Sequence, residues 1–117
     1  MKYFKLSEFD SPDKIGSGEE MKQSTLNLLD MAREISGIPF VINSGYRTDA
    51  QNKKVGGKLN SSHLKGYAID VACNDSVKRF KIINAALKVG FTRIGVGETF
   101  VHLDNDPSKS QNVIWTY

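Results

Sequence analysis

The sequence predicts a single α+β domain, and three observations lead to this class. The chain has 117 residues, of which 39% are hydrophobic and 25% charged, a composition that suits one small globular core. Two stretches place apolar residues at helical spacing, and several short apolar runs have the alternation of strands. The helices and strands are interleaved, and the chain ends in closely spaced strands. We therefore expect one domain over residues 1–117, with helices packed on a small, mainly antiparallel sheet.

The first predicted helix follows an irregular N-terminal segment. Residues 2–18 contain a Ser-Pro-Asp turn and are expected to be extended or irregular. Glu19 and Glu20 suit the positive end of a helix that begins near residue 18, and Gly37, soon followed by a proline, ends it. Apolar residues at helical spacing predict the buried face of this helix, which includes Met21, Leu28 and Met31.

The middle of the chain predicts two strands and two further helices. Residues 40–43 form a short strand, and a short helix spans residues 48–55 with Thr48 or Asp49 as its cap. Residues 67–72 alternate well enough to be a strand that enters the core. A second long helix begins after Asn74-Asp75-Ser76 and ends at a glycine. Its buried face is predicted to carry Val77, Phe80, Ile83, Ala86 and Leu87.

The last quarter of the chain predicts the antiparallel part of the sheet. Residues 93–96 and 100–103 have strand composition and are joined around Gly97-Glu98, in the outline of a hairpin. Residues 105–108 form a turn, and residues 113–117 have the composition of a last strand. These three strands complete the α+β arrangement.

The chain contains only two histidines, and each has an acidic residue near it. His63 lies in a turn flanked by serine and glycine, and Asp70 follows it on the predicted strand. His102 lies in the apolar run of residues 100–103. One turn residue and two strand residues could bind a single ion from the same side. Two imidazoles and one carboxylate, with a position left for water, form the usual ligand set of a catalytic zinc site.

Each of these residues also has a structural interpretation. A histidine in an apolar strand is often a hydrogen-bonded core residue, and an aspartate at a strand end is often a cap or a turn former. Spacing alone would make Arg47 a surface residue. Cys73, the only cysteine, is expected to be a small buried hydrophobe rather than a nucleophile. The placement of both histidines beside acids is what favours a metal site.

Three motifs in order carry a resemblance to a known family. Residues 62–70 match the pattern SxHxxGxAxD, residues 44–47 read SGYR, and residues 100–104 are similar to a second metal-binding segment. From about Ile38 to Asp104, the chain resembles the zinc D-Ala-D-Ala carboxypeptidases and L-alanyl-D-glutamate endopeptidases. These peptidoglycan peptidases share their fold with the signalling domain of hedgehog proteins.

The resemblance implies a zinc peptidase with one Zn²⁺ per chain, held by His63, Asp70 and His102. Such an ion polarises the scissile carbonyl and lowers the pKa of its bound water toward ~7. The resemblance also places Arg47 in the active site, where a guanidinium binds a carboxylate or a developing oxyanion. It further suggests substrate contacts from Tyr46, Gln51 and Ser62.

The general base is where the sequence departs from the family pattern. Several relatives have an acid three residues before the second histidine ligand, and others have a histidine two residues before it. Here these positions are Thr99 and Phe100, neither of which can act as a base. Two acids remain, Asp104 and Glu98. Each lies an even number of residues from His102, so on a strand its side chain would point to the same face as the His102 ring. Asp104 is the first choice, as the base or as a residue that orients the metal water or a ligand, and Glu98 is the alternative.

The substrate follows from the resemblance alone. It would be the short peptide of peptidoglycan, cleaved at D-Ala-D-Ala or at L-Ala-D-Glu. Compact members without a signal peptide resemble phage or prophage lysis enzymes. Two alternatives remain: a zinc-holding binding or signalling module, which the missing acid favours, and a metal-free structural domain of a phage particle.

Charge, cysteine count and hydropathy narrow the classes of protein to which the chain can belong. A net charge of +3 is too small and too scattered to indicate nucleic-acid binding. A single cysteine allows no intramolecular disulfide. No segment has the pattern of a signal peptide, and no apolar run is long enough to cross a membrane. We expect a monomer that is made in the cytoplasm and acts on the cell wall after release or assisted export.

Overall fold

The computed structural model describes all 117 residues and contains one sheet of five strands. The strands are β1 (Ile42–Ser44), β2 (Ala68–Ala72), β3 (Arg93–Val96), β4 (Phe100–Asp104) and β5 (Val113–Thr116). They lie in the order β1-β2-β4-β3-β5, with β5 parallel to β3 and every other neighbouring pair antiparallel. The predicted α+β class with a mainly antiparallel sheet is therefore confirmed.

Three α-helices and three short 3₁₀ helices complete the fold. The α-helices are α1 (Gln23–Ser36), α2 (Asp49–Lys54) and α3 (Ser76–Val89), and the 3₁₀ helices span Leu6–Phe9, Ser17–Glu20 and Ser62–Lys65. The predicted caps are present: Thr48 accepts a hydrogen bond from the Gln51 amide, and Asp75 accepts one from the Lys78 amide. Measured by length and hydropathy, no helix is suited to spanning a bilayer.

The two faces of the sheet have different chemistry because side chains alternate along each strand. One face is apolar and fully buried, and it packs with α1 and α3 in a single core. The other face carries Asp70 on β2 and both His102 and Asp104 on β4. The alternation that buries one face therefore gathers the polar side chains of β2 and β4 on the other. The apolar face consists of Ile69, Val71, Ile94, Val101 and Leu103.

The first long helix begins later than the sequence predicts. Residues 17–20 form a separate 3₁₀ helix, and Met21 has an extended backbone before α1 begins at Gln23. The reason is tertiary, because the Lys22 amide donates a 2.9 Å hydrogen bond to the Gly66 carbonyl instead of continuing a helix. Met21 is buried as expected, whereas Met31 is 50% exposed and the prediction of a core position there is wrong.

The predicted buried face of α3 is also wrong in most of its members. Val77, Phe80 and Leu87 are 66%, 70% and 52% exposed, and of the predicted set only Ala86 is fully buried. Apolar residues occupy several sides of this helix, so their spacing does not identify the packed side. Small alanines let α3 approach α1 closely, and the buried residues are Ile82, Ala85 and Ala86.

Candidate metal centre

The structure brings His63, Asp70 and His102 together, with one ligand atom of each lying within 4.8 Å of the others. Asp70 and His102 are register partners on β2 and β4. His63 enters from the 3₁₀ helix over residues 62–65, where Ser61 caps the turn by accepting a hydrogen bond from the His63 amide. Asp70 Oδ1 is 3.3 Å from His63 Nε2 and 3.0 Å from His102 Nδ1.

Hydrogen bonds on the far side of each ring define which nitrogen faces the cluster. His63 Nδ1 lies 2.7 Å from the Gly45 carbonyl, which can only accept, so Nδ1 carries the proton. His102 Nε2 lies 2.6 Å from Asp104 Oδ2 and donates to it. The other nitrogen of each ring, His63 Nε2 and His102 Nδ1, therefore faces the Asp70 carboxylate, where it can hold either a proton or a metal ion. Three electron-pair donors that converge in this way call for a cation between them.

The cluster is buried, with 2%, 9% and 8% of His63, Asp70 and His102 exposed. Burial acts to raise the pKa of Asp70, but hydrogen bonds from His102 and His63 outweigh it, so this pKa lies well below its ordinary range. Burial acts to lower the pKa of His102, but hydrogen bonds to Asp104 and Asp70 raise it above the usual value. Two imidazole nitrogens and a carboxylate oxygen are a donor set that zinc accepts, so these residues fit the ion that the sequence predicts.

Arg47 lies at the edge of the cluster, as the resemblance to the zinc peptidases implies. Its Nη2 donates to Asp70 Oδ2 at 3.3 Å, its Nε to Ser44 Oγ at 3.0 Å and its Nη1 to Asn52 Oδ1 at 3.2 Å. Asn52, which is 3% exposed, is held in turn by the Lys58 carbonyl at 2.8 Å. The guanidinium is thus fixed by three partners, and two of its five N–H groups remain free for a ligand.

The other predicted substrate contacts take different positions. Ser62 lines the cleft but is 3% exposed, and its hydroxyl donates to Asp106 Oδ2 at 2.8 Å. Gln51 lines a neighbouring cavity rather than the main one. Tyr46 packs against the hydrophobic core and lines neither cavity. The structure therefore brings Ser62 and Gln51 near the cleft and leaves Tyr46 in a packing position.

The two candidate bases differ sharply in position. Asp104 is 1% exposed, and both its oxygens are engaged: Oδ2 by His102, and Oδ1 by the Asp106 amide at 3.1 Å and by Arg93 Nε at 2.8 Å. Glu98 is exposed in the β3–β4 turn and does not line the cleft. The carboxylates that line the cleft are those of Asp70 and Asp104.

Asp106 supports the site, although the sequence predicts it only as part of a turn. It is fully buried, and its carboxylate accepts hydrogen bonds from Ser62 Oγ at 2.8 Å, Lys65 Nζ at 3.2 Å and Ser108 Oγ at 2.7 Å. Burial acts to raise the pKa of Asp106, but the hydrogen bonds from these side chains and from the Ser108 amide hold it well below the usual range. This carboxylate ties the turn after β4 to the 3₁₀ helix that carries His63.

The cluster lies in a cleft with a volume of about 590 Å³, part of whose wall comes from the C-terminal strand. Trp115 stands beside His102 with 5.3 Å between ring centroids, and the Arg93 guanidinium lies 5.1 Å from the centre of the indole. Glycine at position 95 makes room for the indole, because a Cβ there would lie 2.8 Å from Trp115 Nε1. The wall also includes Phe100 and Tyr117, which pack together at 5.0 Å.

The sequence carries no local signal for this wall. Trp115 and Tyr117 reach the cleft because β5 pairs in parallel with β3, in a register that sets Trp115 beside Gly95 and Gly95 beside His102. Arg93 and Lys109 also line the cleft. An aromatic residue at an edge strand and a lysine in a turn are ordinary surface features until that register is known.

A small mixed sheet gathers two histidines and an aspartate in a polar cleft, and this is the ligand set of a catalytic zinc site. The chain belongs to the Peptidase M15 family, whose family model matches residues 2–104. This is the family of zinc D-Ala-D-Ala carboxypeptidases, and its members depend on zinc. No curated protein matches the chain. The matched range contains all three residues of the candidate metal centre and ends before Lys109 and Trp115.

Proposed function

We propose that this protein is a zinc-dependent hydrolase of peptidoglycan stem peptides. The observation that carries the proposal is the convergence of two imidazole nitrogens and one carboxylate within 4.8 Å, in a cleft of about 590 Å³. Membership of the Peptidase M15 family supports a peptidase reaction. The peptidoglycan substrate rests on the resemblance of the motifs at residues 44–47 and 62–70.

His63, Asp70 and His102 are the residues that would hold the zinc ion. When bound, zinc supplies a Lewis acid that polarises the scissile carbonyl and activates water for attack at neutral pH. The Gly45 carbonyl and the Asp104 carboxylate fix the tautomers of the two rings, so that both present a lone pair to the ion. We therefore assign Asp104 the orienting role rather than that of general base.

Arg47 positions the substrate in this proposal. The guanidinium lies at the edge of the cluster, and its two free N–H groups would donate to the peptide carbonyl as that oxygen develops negative charge. The guanidinium is held by Ser44 and Asn52, so it needs little reorganisation when charge develops. A fixed guanidinium of this kind orients a carbonyl or a carboxylate and stabilises its charge.

The shape of the cleft favours an endopeptidase of the L-Ala-D-Glu type over a D-Ala-D-Ala carboxypeptidase. A second cavity, with a volume of about 270 Å³, adjoins the first, and the two share Arg47, Val55, Asp70 and Phe100. Space therefore continues on both sides of Asp70. An endopeptidase needs room for peptide on both sides of the scissile bond, whereas a carboxypeptidase needs only a short site on one side.

A second candidate function is a zinc-holding module that binds peptide without cleaving it. The observation that favours it is that no carboxylate in the cleft is free to act as a base. Asp70 and Asp104 are both held by ion pairs or hydrogen bonds, and Glu98 lies outside the cleft. A hydrolase needs a group that takes the proton of the attacking water. Hydrolysis itself separates the two candidates.

The test is digestion of purified peptidoglycan by the zinc-loaded protein, with the released peptides resolved by mass spectrometry. His63→Ala serves as the control, because it removes a metal ligand. New peptides ending at L-Ala would establish the endopeptidase, and loss of a terminal D-Ala would establish the carboxypeptidase. A zinc-loaded protein that releases nothing from several types of cell wall would favour the binding module.

A further inference from the structure

The charges of the cleft are unevenly paired. Four cationic side chains line it: Arg47, Lys58, Arg93 and Lys109. The two arginines are matched by the two carboxylates of the cleft, because Arg47 pairs with Asp70 at 3.3 Å and Arg93 with Asp104 at 2.8 Å. The two lysines are absent from the ion pairs of the chain. The cleft therefore has two positive charges in excess at the end formed by Lys58 and Lys109.

Lys109 is better placed than Lys58 to bind a ligand in the cleft. It is half-buried, whereas Lys58 is exposed. Its Nζ donates one hydrogen bond, to the Asn60 carbonyl at 2.6 Å, which fixes the side chain to another residue of the cleft lining. An ammonium has three donors, so two remain for a ligand. Burial lowers the pKa of Lys109, although the carboxylates of Asp106 and Asp104 act to raise it, so its charge is partly removed from water.

The cavity that adjoins the cleft has the opposite charge. The adjoining cavity is lined by Glu8 and Asp10, and its one cation is Arg47, which already pairs with Asp70. A peptide that crosses the candidate metal centre therefore meets an acidic end and a basic end. A free carboxylate beside Lys109 meets an ammonium that is not in an ion pair, whereas one in the adjoining cavity is repelled by Glu8 and Asp10.

We propose that Lys109 binds a free carboxylate of the substrate and so sets both the direction in which the peptide lies and the preference for an acidic peptide. This inference rests on the proposed function, because it takes the peptide of that function as the ligand. It adds a specificity-determining residue from outside the range that the family model matches. Lys58, exposed at the same end, adds long-range attraction for the same carboxylate.

The experiment measures peptide binding, not turnover, through the fluorescence of Trp115. This residue is the only tryptophan in the chain and lines the same cleft. Zinc-loaded protein is mixed in a stopped-flow instrument with synthetic L-alanyl-D-glutamate peptides, in which each carboxylate in turn is free or converted to a carboxamide. Four proteins are compared: the wild type, Lys109→Met, Lys109→Arg and Lys88→Met, whose exposed lysine on α3 lines neither cavity.

We expect the wild type to bind one free-acid peptide about tenfold more tightly than the matching carboxamide. Lys109→Met should reduce this ratio to about one, while Lys109→Arg and Lys88→Met keep most of it. A wild type without preference for any free carboxylate would overturn the proposal. Equal weakening of acid and carboxamide by Lys109→Met would also overturn it, since the lysine would then act only through Asn60.

These outcomes are separate from those of the proposed hydrolysis. A Lys109-dependent preference in a protein that cleaves nothing supports the carboxylate site and contradicts the hydrolase. Cleavage of wall peptides with the same preference in the wild type and in Lys109→Met supports the hydrolase and contradicts the carboxylate site.

Discussion

The ring of His102 and the carboxylate of Asp104 lie two residues apart on β4 and are joined by a 2.6 Å contact between Nε2 and Oδ2. Alternation along the strand places both on the same face of the sheet. Asp104 is itself fixed by the Arg93 side chain and by the Asp106 amide. The ring that would hold the metal is therefore oriented by a buried, fully engaged carboxylate.

Asp104→Asn should weaken zinc binding about 10–100-fold, because the amide no longer holds the His102 tautomer and orientation as the carboxylate does. The measurement is a competition titration against a chelator of known affinity. Glu98→Gln is the control, since Glu98 is exposed and outside the cleft, and it should leave affinity unchanged. Unchanged affinity in Asp104→Asn with a lost kcat would instead identify Asp104 as the general base.

Arg47→Met should lower kcat/KM for a stem peptide by about 10²–10³-fold, the usual cost of removing a donor to a developing oxyanion. Arg47→Lys is the matched variant and should fall between the wild type and Arg47→Met, because it keeps the charge and loses the planar fork. Steady-state kinetics checks both, with zinc content measured alongside. Equal activity of all three proteins would contradict the active-site role of this residue.

Asp106 should make the stability of the protein sensitive to acid. Because its pKa is depressed in the folded state, its contribution is fully present above the unfolded pKa of about 4 and is lost as pH falls toward the folded pKa. Asp106→Asn should therefore be less stable than the wild type at pH 7, with a smaller loss on acidification. Urea unfolding of the metal-free protein between about pH 7 and pH 3 measures this difference.

The control for that series is Glu19→Gln, which changes an exposed acid without hydrogen-bonded partners of this kind. It should follow the wild-type curve. An Asp106→Asn protein that loses as much stability as the wild type on acidification would show that the hydrogen bonds to Ser62, Lys65 and Ser108 do not stabilise the folded state.

Gly95→Ala should displace the aromatic wall of the cleft. A Cβ at this position would lie 2.8 Å from both Trp115 Nε1 and Tyr117 Oη, so both side chains must move. We expect a destabilisation of about 1–3 kcal/mol and a shifted emission of the single tryptophan. Thr116→Ala, at an exposed position of the same edge strand, should change neither. An unchanged emission in Gly95→Ala would contradict the packing described for Trp115.

Much of the fold follows from local signals in the sequence. The caps Thr48 and Asp75, the glycine ends of α1 and α3, and the hairpin around Gly97-Glu98 are all present in the structure. Each depends on residues close together in the chain, and such short-range chemistry can be read directly. The packed side of α3 is a tertiary property, since the sheet and α1 decide which apolar residues are covered.

The residues of the candidate site also fall into two groups, those that local motifs predict and those that depend on the tertiary fold. The sequence brings out His63, Asp70, His102 and Arg47 because their motifs are local, and parity along β4 places Asp104 beside His102. Alternation along the strand would also place Glu98 on this face, but Glu98 lies in the β3–β4 turn, where it is exposed and does not line the cleft. Trp115 and Lys109 could not be predicted, because the parallel pairing of β5 with β3 and the turn before it bring distant residues to the cleft.

His63, Asp70 and His102 are proposed to form one zinc site, which the zinc content of the purified protein after equilibrium dialysis tests directly. The wild type is compared with His63→Ala, Asp70→Ala and His102→Ala. We expect one zinc per chain in the wild type and a loss of stoichiometric binding in each variant, with Glu98→Gln unchanged. A wild type without zinc, or variants that keep a full equivalent, would contradict it.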